Sequence, residues 1–172
     1  MSGLDSKQGH QTVIGIGSNI SPRENIRSSL YLLSRMVSLE AVSSIWKTSA
    51  VGSPGPDFLN AAALISTNFN FEQLRNEILR PIENMLGRVR TQDPNAPRTI
   101  DLDILIFDGA VLDEQLWEYA HMGVPVAELV PDFIDPHTGN RAAEISERLR
   151  KSSGIIKTDL NLHWAGTTRD IV

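Results

Sequence analysis

The sequence predicts an α+β fold in which helices pack on an antiparallel sheet. Four short apolar runs fall within residues 12–107, two longer segments with helical periodicity separate them, and the resulting order is β-α-β-β-α-β. This order defines the ferredoxin-like arrangement. A length of 172 residues suits one domain, which we place at 12–166, after a disordered tail at 1–11.

The first strand and the first helix are expected within residues 12–36. The run TVIGIGSN, 12–19, is apolar and ends in small polar residues, which is typical of a buried strand. Ser21 is then a candidate N-cap, and Pro22 suits the first helical position. Apolar side chains recur behind them at the spacing of one helical face, namely Ile26, Leu30, Leu33 and Met36.

Two strands and a second helix follow. The runs LEAVSSIWKTSA, 39–50, and FLNAAALISTNF, 58–69, are separated by a loop rich in Gly and Pro, so we expect two strands there. The second helix is predicted at 70–88. Pro81 should kink or restart this helix, because proline lacks a backbone donor.

The fourth strand, 99–107, completes the predicted core. After it, the residues DGAV, 108–111, indicate a turn. A C-terminal extension then carries two short helices, which we expect at 124–132 and 139–152.

Composition and charge narrow the range of functions. A net charge of −5 argues against a broad nucleic-acid-binding surface. The chain has no cysteine and no segment of membrane-spanning length, so we expect a cytoplasmic protein. We also expect a monomer or a weak dimer. Arginines are nevertheless concentrated in one stretch, which suits a small polyanion. These are Arg75, Arg80, Arg88, Arg90 and Arg98.

Two acids interrupt the fourth strand, in the segment PRTIDLDILIF at 97–107. Residues i and i+2 of a strand share a face and lie roughly 6.6 Å apart, so Asp101 and Asp103 should project together. Two close carboxylates repel each other, and a divalent cation removes that repulsion. Oxygen ligands favour Mg²⁺, which completes its shell with water and phosphate oxygens. The alternative is a solvent-facing strand whose acids meet water or arginine.

Arginines close to these acids favour the metal interpretation. Arg98 precedes Asp101 by three residues, and Arg88 and Arg90 form an R-x-R motif after the second helix. Guanidinium groups bind phosphate oxygens in a bidentate manner. Acids that hold metal and arginines that hold phosphate are typical of phosphoryl transfer. The chain has no Walker A motif, which excludes a P-loop enzyme.

The motifs together resemble the 6-hydroxymethyl-7,8-dihydropterin pyrophosphokinase family. The resemblance rests on IGIGSN at 14–19, WKTSAVGSPGPDFLNAA at 46–62, PIENMLGRVR at 81–90 and APRTIDLDILIF at 96–107, in that order. It implies transfer of pyrophosphate from ATP to the dihydropterin hydroxymethyl group, with release of AMP, in folate biosynthesis.

The resemblance also implies roles for individual residues. Asp101 and Asp103 would bind two Mg²⁺ ions, and Arg88 and Arg98 would surround the phosphates during catalysis. Residues implied on the ATP side are Glu83, Arg90, Arg98, Ile104 and His121. Residues implied on the pterin side are Thr48, Val51, Phe58 and Asn60.

The segment after the acidic strand departs from the family pattern. The stretch between Leu116 and Pro125 is shorter than in the family, and it carries neither the expected Arg nor the expected Phe. Trp117 or Tyr119 could supply the missing aromatic face over the pterin. Asn95 stands where many members carry a loop aromatic residue.

Three functional hypotheses remain open at this point. The first is an active pyrophosphokinase with a trimmed pterin lid. The second is a pterin- or nucleotide-binding protein with little turnover, and the third is another Mg²⁺-dependent phosphotransferase that acts on a modified pterin. The retention of both acids, both loop arginines and Asn60 favours the first hypothesis.

Overall fold

A computed structural model describes residues 9–49, 55–93 and 96–160. Its strands are β1 (His10–Ser18), β2 (Ser38–Val42), β3 (Trp46–Thr48), β4 (Phe58–Thr67), β5 (Asp101–Phe107), β6 (Ala110–Val111) and β7 (Ile156–Lys157). Its helices are α1 (Pro22–Met36), α2 (Phe71–Gln73), a π-helix (Leu74–Leu79), α3 (Arg80–Met85), α4 (Ala120–Leu129) and α5 (Ala142–Ser153). None of the helices in these ranges is both long and apolar enough to cross a membrane.

The described strands form one antiparallel sheet in the order β6-β5-β1-β4-β3-β7, and β2 pairs with a second part of β4. One apolar core lies between this sheet and the helices from α1 to α3. A second core lies between the other face of the sheet and α4 and α5. The predicted α+β class is therefore confirmed, and the C-terminal extension provides the third layer.

The predicted second strand is divided in two by an extra residue. Val42 pairs with Ala63 and Trp46 pairs with Asn60. Four residue steps from β2 to β3 therefore correspond to three residue steps along β4. Ser43 occupies the break: its backbone N–H donates to the Ala62 carbonyl, and its hydroxyl accepts the Ala62 N–H at 2.8 Å. The mismatch is a β-bulge, which apolar patterning does not reveal.

The predicted second helix restarts near Pro81. Within the π-helix the backbone N–H of Arg80 donates to the carbonyl of Arg75, five residues earlier. Pro81 then occupies the first turn of α3, where the missing donor costs little. The prediction of a restart is confirmed, and the widened turn is how the chain accommodates it.

Two predictions at element boundaries are wrong in detail. Pro22 does begin α1, but Ser21 adopts a left-handed conformation with φ of 42° and its side chain makes no capping hydrogen bond. Its carbonyl accepts the Asn25 N–H instead. The first strand starts at His10, so the last two residues of the predicted tail, His10 and Gln11, belong to the sheet.

The predicted turn at 108–111 is confirmed as the hairpin between β5 and β6. Asp108 and Gly109 both have positive φ values, 47° and 80°, which is typical of the two-residue turns that join antiparallel strands.

The first C-terminal helix begins four residues earlier and ends three residues earlier than predicted, and Gly123 lets it pack closely. A Cβ atom at this position would lie 2.9 Å from the Leu116 carbonyl oxygen and 2.9 Å from a methyl group of Leu149. We expect Gly123→Ala to lower the free energy of unfolding by about 1–2 kcal/mol, because the backbone oxygen cannot move aside easily. Urea unfolding measures this change, and a variant as stable as the wild type would contradict the close packing.

Candidate active site

One pocket collects side chains from distant parts of the chain. It is a cavity of about 250 Å³ where β1 ends and β5 begins, on the side of the sheet that α4 covers. Most of the residues predicted from the sequence line it, namely Thr48, Phe58, Asn60, Arg98, Asp101, Asp103 and His121.

The two acids lie on the pocket side of β5. Leu102, between them, is buried in the opposite core, as strand alternation requires. The partner residues on β1 are Gly17, opposite Asp101, and Gly15, opposite Asp103. Because glycine has no side chain, Gly17 leaves open space beside Asp101. Gly15 instead accommodates the Leu105 side chain, since a Cβ atom there would lie 2.7 Å from a Leu105 methyl group.

The carboxylate of Asp101 is bound by two arginines. Arg88 Nη2 lies 3.2 Å from Asp101 Oδ1, and Arg98 Nη1 donates to Asp101 Oδ2. The three side chains are 10%, 19% and 19% exposed for Arg88, Arg98 and Asp101. The protein itself therefore balances the charge of Asp101 and fixes both of its oxygen atoms.

The pKa of the Asp103 carboxyl group is raised above its ordinary value. Its side chain opens to the pocket, yet the surrounding protein removes enough water to raise its pKa, and the negative charges of Asp101 and Glu83 raise it further, to about 6. A positive charge placed in the pocket would favour the ionised form. The site is therefore electrostatically prepared for a cation.

Arg98 is held by a residue that the sequence analysis did not assign. The backbone N–H of Arg98 donates to Asn19 Oδ1 at 2.7 Å, and the Asn19 N–H donates to the Arg98 carbonyl at 3.1 Å. The Arg98 guanidinium carbon lies 5.7 Å from the centre of the Phe58 ring. A buried polar residue at the end of an apolar strand was the available signal for Asn19.

Thr48 and Asn60 form a polar pair on the opposite wall. Asn60 Nδ2 donates to Thr48 Oγ1 at 2.9 Å, and Asn60 is only 4% exposed. A Cβ atom on Gly17 would lie 3.5 Å from Asn60 Oδ1, so this acceptor borders the glycine-lined space. The pair offers a fixed acceptor to a polar ring edge.

The residues Glu83, Arg90 and Ile104, assigned to ATP by resemblance, do not line this pocket. Arg88 does not line it either, and it contacts the site through its ion pair with Asp101. Ile104 is buried in the core on the opposite face of the sheet. Glu83 is 2% exposed and binds Arg90 Nη2 at 2.5 Å. Its other oxygen accepts the Leu102 backbone N–H at 3.0 Å.

The segment after β5 supplies His121 but no buried aromatic lid. Burial lowers the pKa of His121, and nearby Arg98 lowers it further, although Asp113 opposes this effect.

The prediction that Trp117 covers the pterin is wrong, because Trp117 is buried in the second core and its ring stacks on Phe133. Tyr119 is 41% exposed and its ring contacts that of His121. Val51 and Asn95 lie outside the described residues.

The donor set fits a hard divalent cation. In the described ranges no group of three or more His, Cys, Asp or Glu residues could hold a metal, so the carboxylates that the pocket offers to a cation are those of Asp101 and Asp103. Mg²⁺ is commonly bound by one or two carboxylates, with water and substrate phosphates completing its shell. The open space at Gly17, beside Asp101, and the raised pKa of Asp103 both fit this mode.

Carboxylates, arginines and a fixed amide around one pocket define the chain as a candidate phosphotransferase. The family model described as 7,8-dihydro-6-hydroxymethylpterin-pyrophosphokinase (HPPK) matches residues 13–131. The chain belongs to this family.

Similar proteins agree with this assignment. A 2-amino-4-hydroxy-6-hydroxymethyldihydropteridine pyrophosphokinase of Bacillus subtilis is 40% identical over 129 residues, which cover 67% of this chain and 75% of that protein. The Synechocystis protein of the same name is 29% identical over 154 residues, covering 83% and 78%. A Plasmodium falciparum HPPK-DHPS structure has a TM-score of 0.64 at 9% identity, which supports the fold alone. The superposition covers 84% of this chain and 44% of that longer chain.

The acidity of Asp103 can be tested by carboxyl-carbon NMR titration. We expect a pKa of about 6 in the wild type, and a value closer to the ordinary one in Asp101→Asn, because that substitution removes a neighbouring negative charge. Asp132→Asn, at an exposed site, serves as the control. An unchanged Asp103 pKa in Asp101→Asn would contradict the proposed coupling of the two acids.

Proposed function

We propose the residue roles by which this chain performs the reaction of its family, the transfer of pyrophosphate from ATP to 6-hydroxymethyl-7,8-dihydropterin in folate synthesis. The pterin hydroxyl oxygen forms a bond to the β-phosphorus of ATP and loses its proton to solvent. The bond from that phosphorus to the α,β-bridging oxygen breaks, and AMP leaves with the electron pair. The observation that carries the proposal is that Asp101, Asp103, Arg98 and Asn60 face one pocket.

Asp101 and Asp103 would hold the magnesium, as two ions. When bound, Mg²⁺ lowers the pKa of an attacking hydroxyl and neutralises the charge of the polyphosphate. The protein contributes two carboxylates on one strand face, and Gly17, opposite Asp101, leaves room there for phosphate. Ionisation of Asp103, whose pKa is about 6, would be favoured by the cation.

Arg98 would bind the phosphates. It lines the pocket and already binds a carboxylate, whose geometry resembles that of a phosphate edge. Arg88, on the other oxygen of Asp101, is the second phosphate candidate. Both arginines would exchange part of their contact with Asp101 for phosphate oxygens as the nucleotide and metal enter.

The remaining contacts divide between the two substrates. His121, which burial keeps neutral near pH 7, would donate or accept one hydrogen bond on the nucleotide side. Asn60 and Thr48 would bind the polar edge of the pterin, and the Phe58 ring would stack on its face. Glu83, Arg90 and Ile104 would support nucleotide binding indirectly, since none of them lines the pocket.

A coupled assay for AMP, run with and without the pterin, tests the reaction itself. AMP formed only when the pterin is present supports the proposal. ATP binding without AMP formation would indicate a binding protein, and AMP formed without pterin would indicate a different phosphotransferase.

Removal of one acid tests the metal role. We expect Asp103→Ala to reduce AMP formation at least about 100-fold while the circular dichroism spectrum is retained, because the variant loses a metal ligand and not a packing contact. Asp132→Ala, in an exposed ion pair, is the matched control and should keep normal activity. Near-normal AMP formation by Asp103→Ala would refute the metal role.

Removal of Arg98 tests its part in the transfer. We expect Arg98→Ala to lower kcat more than it weakens ATP binding, since its partner charge develops during the reaction. Arg75→Ala, an exposed arginine of the π-helix, controls for net charge. Equal losses in kcat and in ATP affinity would count against this role.

A further inference from the structure

The outer edge of β5 has no strand neighbour where the two acids lie. Among the described strands, β1 pairs with residues 101–107 on one side, and β6 pairs only with Ile106 and Phe107 on the other. An open strand edge exposes backbone donors and acceptors that need other partners. Side chains from the end of α3 and the following loop provide them here.

Glu83 and Arg88 take the place of a neighbouring strand. Glu83 Oε1 accepts the Leu102 N–H at 3.0 Å, and Arg88 Nη1 donates to the Ile100 carbonyl at 2.9 Å. These two backbone groups point to the same edge, because residues i and i+2 of a strand share a direction. The backbone carbonyl of Glu83 also accepts the Arg88 backbone N–H at 2.9 Å, which fixes the backbones that carry the two side chains relative to each other.

The Glu83 carboxylate is fully committed to the protein. Burial raises its pKa, while the Leu102 N–H and Arg90 lower it. One oxygen binds Leu102 and the other binds Arg90, and the side chain is 2% exposed. A buried carboxylate is costly unless it is paired, and this one has a partner on each oxygen.

We infer that Glu83 is a positioning residue that sets the geometry of the metal-binding pair. Leu102 lies between Asp101 and Asp103, so fixing its backbone fixes the directions in which both carboxylates project. This inference rests on the proposed function, since it concerns the same acids. Loss of a residue that orients metal ligands typically lowers metal affinity by about 10–100-fold.

Two substitutions separate the hydrogen bond from the charge. Glu83→Gln keeps an oxygen that can accept the Leu102 N–H, whereas Glu83→Ala removes the acceptor. We expect Glu83→Ala to accelerate hydrogen exchange of the Leu102 amide and to weaken Mn²⁺ binding about tenfold. Glu83→Gln should restore most of both properties. Exchange is followed by NMR, and binding of Mn²⁺ alone by electron paramagnetic resonance.

Two further variants control for stability and for the ion pair. Leu33→Ala removes a buried side chain of the same core at a site remote from β5, and it should leave Mn²⁺ affinity unchanged. Arg90→Ala removes the partner of Glu83 but keeps the Leu102 contact, and it should keep slow exchange. If Glu83→Ala fails to fold, Glu83→Gln and Arg90→Ala still test the inference. Together they show whether the Leu102 hydrogen bond or the ion pair with Arg90 is what slows exchange of the Leu102 amide.

The outcomes are distinct. An unchanged hydrogen-exchange rate of the Leu102 amide in Glu83→Ala would refute the contact between Glu83 and Leu102. Faster exchange of this amide with unchanged Mn²⁺ affinity would refute the positioning role. Equal losses in Glu83→Gln and Glu83→Ala would show that the charge matters and not the acceptor, which also overturns the inference. Absence of Mn²⁺ binding by the wild type would refute the proposed metal role, while the exchange data still decide whether the brace exists.

Discussion

The site depends on the pairing of β5 with β1. This register places Asp101 and Asp103 opposite glycines, on the face that borders the pocket. It places Leu102 in the core between the sheet and the helices α1 to α3. A slip of one residue would turn both acids into that core and expose the apolar side chains. Burial of the apolar face therefore holds the acids in the pocket, and packing energy supports an arrangement that electrostatics alone would oppose.

The acids and arginines around this strand share their charges unequally. Asp101 has two arginine partners and Glu83 has one, whereas Asp103 opens to the pocket with a pKa raised to about 6. The protein thus pairs Asp101 and Glu83 with its own arginines and leaves the unbalanced negative charge at Asp103, which opens to the pocket. Arg88 and Arg98 are held in place by Asp101, so in the proposed role little further ordering would be needed for them to bind phosphate.

Sequence patterns predicted what depends on local periodicity and missed what depends on contacts across the fold. Alternation in 99–107 placed Asp101 and Asp103 on one face, since a period of two is a property of any strand. It could not show that Glu83 accepts the Leu102 N–H, because that contact joins a helix to a strand edge. Trp117 was misjudged for the same reason, since burial against Phe133 is set by how α4 and α5 pack.

The C-terminal layer explains how the pocket keeps a second wall despite the short segment after β5. Because α4 begins at Ala120, its first turn places His121 and Met122 directly at the pocket. The close approach at Gly123 holds that turn against Leu116 and Leu149. The position of His121 is therefore set by the packing of α4 on the core, which gives the pocket a fixed wall on the side proposed for the nucleotide.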